Sequence, residues 1–83
     1  MSQDEILDGL TDVVRDILEQ PDLSLSRNTT AQDVEGWDSV NNISIIVGTE
    51  ARFGVKFRTA ELDEIKNVGD LVDLVADKLQ KKR

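Results

Sequence analysis

Asp38 and Ser39 stand directly before a run of apolar residues at helical spacing, and they are the residues best suited to chemistry. The spacing predicts Asp38 as a helix N-cap and Ser39 as the first helical residue, with its hydroxyl pointing outward. The unpaired N–H groups and positive dipole end of a helix favour an attached anion, such as a phosphate ester. The Asp38 carboxylate would repel such an ester, so it suits the enzyme that installs the group better than the product. Because Asp-Ser also opens unmodified helices, the pair alone leaves both interpretations open.

The composition restricts what other chemistry the chain can perform. It has neither Cys nor His, so it lacks a thiol nucleophile, a soft metal ligand and a side chain that ordinarily titrates near neutrality. Thiol chemistry would have to come from an attached group or from a partner. The paired carboxylates Glu61 and Glu64 are expected to face solvent on a short helix, which disfavours a carboxylate catalyst. We therefore expect no enzyme and no metal site.

The charge distribution indicates which partners the chain can bind. Residues 1–57 hold 4 basic and 11 acidic residues (4 − 11 = −7), whereas residues 58–83 hold 6 of each (6 − 6 = 0). This balance disfavours nucleic acid and anionic membranes and favours basic protein partners, although acidity also simply keeps small proteins in solution. The sequence shows neither a signal peptide nor a run able to span a bilayer, so we expect a cytoplasmic protein. We also expect a monomer.

The elements that must position Ser39 are helices. At 83 residues the chain predicts a single domain, 1–83, in the all-α class: a small bundle of three longer helices and one short helix. The predicted helices span residues 3–20, 38–53, 59–65 and 68–81. The long segment between the first two lacks periodicity and is expected to be an ordered loop, a feature that is more often functional than idle. Its expected anchors to the core are Leu23, Leu25, Val34 and Trp37.

Apolar spacing and capping residues define each helix. Pro21 limits the first helix, and Gly54 is expected to end the second. Thr59 is a candidate cap for the short helix, and Asn67 with Asp70 for the last. The first helix has the stripe Ile6, Leu7, Leu10, Val13, Val14, Ile17 and Leu18. The second has one broad face of Val40, Ile43, Ile46, Val47 and Phe53. The last has the stripe Val68, Leu71, Val72, Val75 and Leu79. Its C-terminal end carries the basic residues Lys78, Lys81, Lys82 and Arg83.

The order of these elements resembles an acyl carrier protein over nearly the whole chain. The features that carry the resemblance are Asp-Ser followed by an aliphatic residue, the "EARFG" that closes the second helix, the short "AELDEI" helix and the "NVGDLVDLV" that opens the last. The resemblance implies that Ser39 carries covalent 4′-phosphopantetheine, transferred from coenzyme A by a Mg²⁺-dependent phosphopantetheinyl transferase. The thiol of this arm would hold an acyl group as a thioester, which explains how a chain without Cys could perform thiol chemistry.

The resemblance also implies an acyl pocket and a surface for partner enzymes that load, elongate or transfer the acyl group. By position, the candidate pocket residues are Ile46, Phe57, Leu62, Ile65 and Val68, each of which could equally be ordinary core. The candidate partner-recognition residues are Asp38, Val40, Asn41, Asn42 and Glu50.

The second helix departs from the family pattern in a way that bears on its partners. Val40 stands where Leu is commoner, Asn41 and Asn42 stand where acidic residues are frequent, and Glu50 is the one acidic residue from Ser39 to Phe53. This predicts a specialised carrier with dedicated partners, serving fatty-acid, lipid or polyketide-type synthesis. The alternatives are an aminoacyl or peptidyl carrier and an unmodified helical interaction module.

Overall fold

Four α-helices and one short 3₁₀ turn account for the regular structure of residues 2–81, the part of the chain that the computed structural model describes. No strand occurs within those residues, so the predicted all-α class is confirmed. None of the helices in this range is both long and apolar enough to cross a membrane. In chain order the elements are α1 (Gln3–Leu18), the 3₁₀ turn (Ala31–Asp33), α2 (Ser39–Phe53), α3 (Thr59–Leu62) and α4 (Val68–Lys81).

Helix α1 begins with a capping box and ends two residues earlier than predicted. The Ser2 hydroxyl accepts the Glu5 N–H at 3.2 Å, and the Glu5 carboxylate accepts the Ser2 N–H at 3.0 Å. At the other end Glu19 adopts a left-handed conformation with φ of 55°, which stops the helix before Pro21 is reached. The predicted end at residue 20 was therefore too late, because a left-handed residue already closes the helix at position 19.

The predicted inward face of α2 was largely wrong. Ile45 is fully buried, whereas Val40, Ile43 and Val47 are 74%, 66% and 57% exposed. Phe53 is buried and Ile46 half-buried against the core, as predicted. Thr49 shares the inner face with Ile45, and its buried hydroxyl donates to the Ile45 carbonyl at 2.7 Å and so needs no other partner. The sequence could not separate the two faces, because α2 carries aliphatic residues over most of its circumference and a threonine within its core.

The core forms where α1, α2 and α4 meet, and the stripes of α1 and α4 lie on it as predicted. The side chains of Leu7, Ile17, Leu18 and Leu79 are half-buried and pack against its edge. The buried apolar residues of the core cluster are Ile6, Leu10, Val14, Ile45, Phe53, Val55, Val68, Leu71, Val72 and Val75.

The loop of residues 19–38 is held against the start of α4 by backbone hydrogen bonds. The Val68 N–H donates to the Thr29 carbonyl and the Gly69 N–H donates to the Arg27 carbonyl, both at 2.8 Å. These bonds satisfy N–H groups that a helix N-terminus leaves without partners. The Arg27 guanidinium adds an ion pair to Asp73 at 2.9 Å. Of the predicted anchors, Leu23, Leu25 and Trp37 are half-buried and pack against the core, and Val34 is buried.

Helix α3 is a single turn, shorter than the predicted 59–65, and Thr59 does not cap it. Its N-cap is Arg58, whose N–H donates to Glu61 Oε1 at 2.8 Å. The cap of α4 follows the prediction, since the Asn67 side-chain oxygen accepts the Asp70 N–H at 2.8 Å. The predicted basic residues Lys78 and Lys81 lie in the last turn of α4. Lys82 and Arg83 lie outside the described residues.

Candidate functional site

Ser39 is the first residue of α2, and its side chain is exposed. As predicted, Asp38 is the N-cap, with its carboxylate accepting the Asn41 N–H at 2.8 Å. The Asp38 carbonyl accepts the first helical hydrogen bond, from the Asn42 N–H at 2.8 Å. The N–H groups of Ser39 and Val40 therefore precede the hydrogen-bonded turns of the helix. The site combines an outward hydroxyl with the positive end of a helix dipole, as a phosphate ester requires.

The turn before Ser39 is fixed by the side chains that follow it. Gly36 has a φ of 88°, a conformation that favours glycine, and its carbonyl accepts a hydrogen bond from the Asn41 side-chain nitrogen at 2.7 Å. The Trp37 indole N–H donates to the Asn42 side-chain oxygen at 2.9 Å. The two asparagines thus hold the loop that presents Asp38 and Ser39, a role that their positions in the sequence did not indicate.

A cavity of about 110 Å³ opens beside this loop. Two of its lining residues, Asn42 and Ile46, follow Ser39 at the i+3 and i+7 spacings and so share its face of α2. The remaining wall comes from the loop, α3 and the beginning of α4. The lining consists of Thr29, Ala31, Trp37, Asn42, Ile46, Leu62, Ile65, Lys66, Asn67, Val68 and Leu71.

The structure places four of the five predicted pocket residues around this one cavity: Ile46, Leu62, Ile65 and Val68. The fifth, Phe57, is half-buried against the core and is not part of the lining. The loop residues Thr29, Ala31 and Trp37 were missed, because an aperiodic segment gives no sign of which side chains face inward.

The α3 wall of the cavity is tied to α4 by an ion pair. The Lys78 ammonium lies 2.8 Å from Glu61 Oε1, with both side chains largely shielded from solvent. The hydrogen bond from Lys78, aided by the N–H of Arg58, holds the pKa of the Glu61 carboxyl below its usual value of 4.5. Since Leu62 follows Glu61 directly, this pair fixes part of the cavity wall.

The predicted recognition residues fall into two groups in the structure. Asp38 and Val40 are exposed on either side of Ser39. The side chains of Asn41, Asn42 and Glu50 make hydrogen bonds within the chain, Glu50 by accepting the Phe57 N–H at 2.8 Å. Two exposed apolar residues were not identified as surface residues, Ile43 and Val47. With Val40 they have i, i+3, i+7 spacing and form an apolar stripe about 100° around α2 from the face of Ser39.

Fold and site together define a small helical carrier with a serine displayed at a helix start, and comparison with known proteins agrees. Residues 8–75 match the family model described as phosphopantetheine attachment site. The acyl carrier protein of Acidothermus cellulolyticus is 30% identical over 77 residues, covering 93% of this chain and 92% of the relative. The acyl carrier protein of an Arthrobacter species is 33% identical, covering 92% of this chain and 94% of the relative.

A solved structure shows the same fold. The solution structure of the holo acyl carrier protein from Geobacter metallireducens has 41% sequence identity and a TM-score of 0.85, covering 90% of this chain and 86% of that one. The chain belongs to the acyl carrier proteins, the family defined by the phosphopantetheine attachment site. Accordingly it is a carrier of acyl groups and not an enzyme, its prosthetic group is 4′-phosphopantetheine, and it works with a phosphopantetheinyl transferase and with synthetic enzymes.

Proposed function

We propose that Ser39 Oγ is the attachment point of the 4′-phosphopantetheine arm. The observation that carries this proposal is the exposed Ser39 hydroxyl, which has no hydrogen-bond partner within residues 2–81 and begins α2 inside the region matched by the family model. The residues fit the group, because the N–H groups of Ser39 and Val40 lie at the helix end that favours a phosphodiester. When bound, the arm supplies the thiol that a chain without Cys lacks.

Asp38 contributes to the transfer of the arm in this proposal. One of its carboxylate oxygens accepts the Asn41 N–H, which fixes the side chain beside Ser39. The exposed carboxylate can help bind the Mg²⁺ that accompanies coenzyme A into the transferase. The Ser39 oxygen then forms a bond to the phosphorus next to the pantetheine, the phosphoanhydride bond breaks, and adenosine 3′,5′-bisphosphate leaves. The hydroxyl proton passes to a base of the transferase.

Intact-mass measurement tests the attachment site. The protein is incubated with coenzyme A, Mg²⁺ and a broad-specificity phosphopantetheinyl transferase, and we expect a gain of one phosphopantetheine group. Ser39→Ala should abolish the gain. Ser44→Ala is the matched control, because Ser44 is an exposed serine of the same helix, and it should be modified fully. No gain in folded wild-type protein would favour an unmodified interaction module, and a gain in Ser39→Ala would place the arm elsewhere.

We also infer that partner enzymes dock on Asp38 and on the apolar stripe of Val40, Ile43 and Val47. Around the stripe, α2 presents little charge, because its only charged residues are Glu50 and Arg52 near its C-terminal end, and the Arg52 guanidinium lies 3.5 Å from the Asp12 carboxylate. This supports a partner surface that is apolar opposite the stripe and basic opposite Asp38. Asn41, Asn42 and Glu50 contribute by holding the segments that flank the docking surface.

Salt dependence and stripe variants test this docking mode. We expect Ile43→Ser and Val47→Ser to raise the KM of the carrier for its transferase about tenfold, as the loss of one buried apolar contact implies. Ser24→Ala, at an exposed serine of the loop outside α2, should leave KM unchanged. Raising the salt concentration should weaken wild-type docking only slightly, because few charges take part. A steep loss of affinity with salt, together with indifference to the stripe variants, would contradict an apolar interface.

The residues of this docking surface also bear on which partner enzymes can bind it. Enzymes that recognise carriers through charge would find asparagines at positions 41 and 42 and a single carboxylate, Glu50, along α2. We therefore propose that the chain is a specialised acyl carrier, and that housekeeping fatty-acid enzymes acylate and elongate it more slowly than their own carrier. Equal rates with both carriers would refute this.

A further inference from the structure

We propose that Asn41 and Asn42 are positioning residues for the transfer of the arm. Their side chains hold the presenting turn, residues 36–38, so that the Ser39 hydroxyl reaches the transferase already oriented. This inference rests on the proposed function, in which the Ser39 oxygen replaces adenosine 3′,5′-bisphosphate at the phosphorus next to the pantetheine and its proton passes to a base of the transferase. Both asparagines act through the turn and not on the reacting atoms.

Asn41 closes the presenting turn onto the first turn of α2. Its side-chain nitrogen donates to the Gly36 carbonyl at 2.7 Å, and its backbone N–H donates to the Asp38 carboxylate at 2.8 Å. The Gly36 carbonyl accepts a second hydrogen bond, from the Asp38 N–H at 3.0 Å. Gly36, Asp38 and Asn41 are thus joined pairwise. Because Ser39 lies between Asp38 and Asn41 in the chain, these bonds fix its backbone.

Asn42 holds Trp37, the remaining residue of the presenting turn. The Asn42 side-chain oxygen accepts the Trp37 indole N–H at 2.9 Å, and the Asn42 backbone N–H donates to the Asp38 carbonyl at 2.8 Å. Trp37 is half-buried and packs against the core. The bond between Asn42 and Trp37 therefore connects the turn beside Ser39 to a side chain that is anchored in the body of the protein.

The two positions require opposite hydrogen-bonding groups. Position 41 must donate, because the Gly36 carbonyl can only accept, whereas position 42 must accept, because an indole N–H can only donate. An aspartate could therefore replace Asn42 but not Asn41, where a carboxylate oxygen would face the Gly36 carbonyl. A partner that recognised only charge would not distinguish the two positions, so the difference separates positioning from charge recognition.

Positioning should affect the rate of transfer and not the docking of the transferase. Replacing either asparagine leaves Asp38 and the apolar stripe in place, and these are the residues on which partner enzymes are proposed to dock. What is lost is order at the presenting turn, which must then be restored as Ser39 approaches the phosphorus. Both side-chain bonds are exposed to solvent, so the loss of one corresponds to about a 2- to 10-fold lower rate.

Matched substitutions test the requirement at each position. Asn41→Asp and Asn42→Asp add the same charge to adjacent residues, but only Asn41→Asp loses its side-chain bond to the presenting turn. Asn41→Ala and Asn42→Ala remove the two bonds without adding charge. Asn28→Asp is the control for charge, because Asn28 is exposed in the loop and outside the presenting turn. Each variant should fold, since both bonds lie at the surface, and thermal unfolding checks this.

Single-turnover transfer, with the transferase in excess, separates the rate from docking. The full chain is mixed with coenzyme A, Mg²⁺ and increasing concentrations of a broad-specificity transferase, and intact mass follows the uptake of the arm. The maximal rate reports on transfer, and the half-saturating transferase concentration reports on docking. In parallel, NMR follows the indole N–H signal of Trp37, the one tryptophan of the chain.

We expect Asn41→Asp, Asn41→Ala and Asn42→Ala to lower the maximal rate about 2- to 10-fold. The half-saturating concentration should change less than about twofold, because the docking residues are intact. Asn42→Asp should restore the rate that Asn42→Ala loses, and Asn28→Asp should match the wild type. The Trp37 indole signal should move upfield in Asn42→Ala, where its hydrogen bond is lost, and not in Asn42→Asp.

The outcomes distinguish this inference from the proposed function. Absence of the arm from the wild-type protein, or its presence in Ser39→Ala, would overturn the proposed function. Uptake at Ser39 with equal maximal rates for Asn41→Asp and Asn42→Asp, or with changes confined to the half-saturating concentration, would overturn this inference alone. An indole signal that Asn42→Ala leaves unmoved would do the same.

Discussion

The Glu50 carboxylate accepts a hydrogen bond from the Phe57 backbone N–H at 2.8 Å, and this bond ties the end of α2 to the segment that leads into α3. Phe57 is half-buried against the core, so its N–H has limited access to replacement water. We expect Glu50→Ala to destabilise the protein by about 1 to 2 kcal/mol, as measured by urea unfolding, because a hydrogen bond to a charged acceptor is lost.

Glu50→Gln separates this bond from the charge of the residue. A glutamine oxygen can still accept the Phe57 N–H, so most of the stability should return. If Glu50 acted mainly as a charge on the partner surface, Glu50→Gln and Glu50→Ala would impair docking equally and stability would change little. Equal unfolding midpoints for all three proteins would contradict the structural role.

The Glu61 to Lys78 ion pair predicts an acid-dependent loss of stability. The pKa of Glu61 in the folded protein lies below its usual value of 4.5, because Lys78 and the Arg58 N–H stabilise the carboxylate. Its contribution is therefore complete above the unfolded pKa and is lost as the pH falls through the lower folded pKa. Urea unfolding between pH 7 and pH 3 should show a smaller acid-dependent loss for Glu61→Gln than for the wild type.

Glu64→Gln is the control for that series, since the Glu64 side chain makes no hydrogen bond or ion pair within residues 2–81. The unfolding free energy of Glu64→Gln should fall with decreasing pH in the same way as that of the wild type. The pKa of the Glu5 carboxyl is also lowered, by its hydrogen bonds with Ser2, so this group adds an acid-dependent loss of unfolding free energy that is common to all three proteins. Only the difference between curves therefore reports on Glu61, and coinciding curves for Glu61→Gln and wild type would contradict the prediction.

Two isoleucines two positions apart in α2 should respond very differently to truncation. Ile45 is fully buried and Ile43 is 66% exposed. Ile45→Ala should cost about 2 to 5 kcal/mol in unfolding free energy, from lost burial and the cavity left behind. Ile43→Ala should cost less than about 0.5 kcal/mol, because surface substitutions seldom matter more. A reversed order would show that α2 is rotated relative to the core.

The same pair shows how far sequence reasoning reaches in this fold. The stripes of α1 and α4 were predicted correctly because the opposite faces of these helices carry charged residues. The spacing of the apolar residues therefore identifies the buried face. Helix α2 has aliphatic residues at Val40, Ile43, Ile45, Ile46 and Val47 with few charges between them, and periodicity could not choose a face. An exposed apolar face that serves partners gives the same sequence pattern as a buried one.

The candidate site was predictable to the extent that it depends on local rules. Asp38 as N-cap, Ser39 as first helical residue and Gly54 as C-cap follow from capping preferences within a few residues. The cavity wall contributed by Thr29 and Trp37 depends on long-range contacts, such as the Val68 N–H to Thr29 carbonyl bond, that no local pattern encodes.

Glycine at position 69 is required by a close approach between the loop and α4. A Cβ at Gly69 would lie 2.9 Å from the Arg27 carbonyl oxygen, a backbone atom held there by its bond from the Gly69 N–H. Gly69→Ala gains up to about 1 kcal/mol in helix propensity. The clash costs about 1 to 3 kcal/mol, so we expect a net loss of about 1 kcal/mol.

Gly48→Ala provides the comparison within α2. The nearest atoms to its added Cβ are the side-chain methyl groups of Val13 and Ile17, at 3.0 and 3.3 Å, which can shift more easily than a backbone carbonyl. Gly48→Ala should therefore be the more stable of the two variants in urea unfolding. The reverse order would show that the Arg27 backbone of the loop moves aside more easily than the Val13 side chain of α1.

Glu19 offers a substitution that should stabilise the protein. It closes α1 in the left-handed conformation, with φ of 55°, where a side chain is strained and glycine is not. Glu19→Gly should raise the unfolding free energy by about 0.5 kcal/mol, since relief of the strain exceeds the entropy that glycine adds to the unfolded chain. Glu19→Ala removes the same carboxylate but keeps the Cβ, so it should bring no gain. If both variants stabilised the protein equally, the benefit would come from removing a negative charge near the C-terminal end of the α1 dipole and not from the backbone conformation.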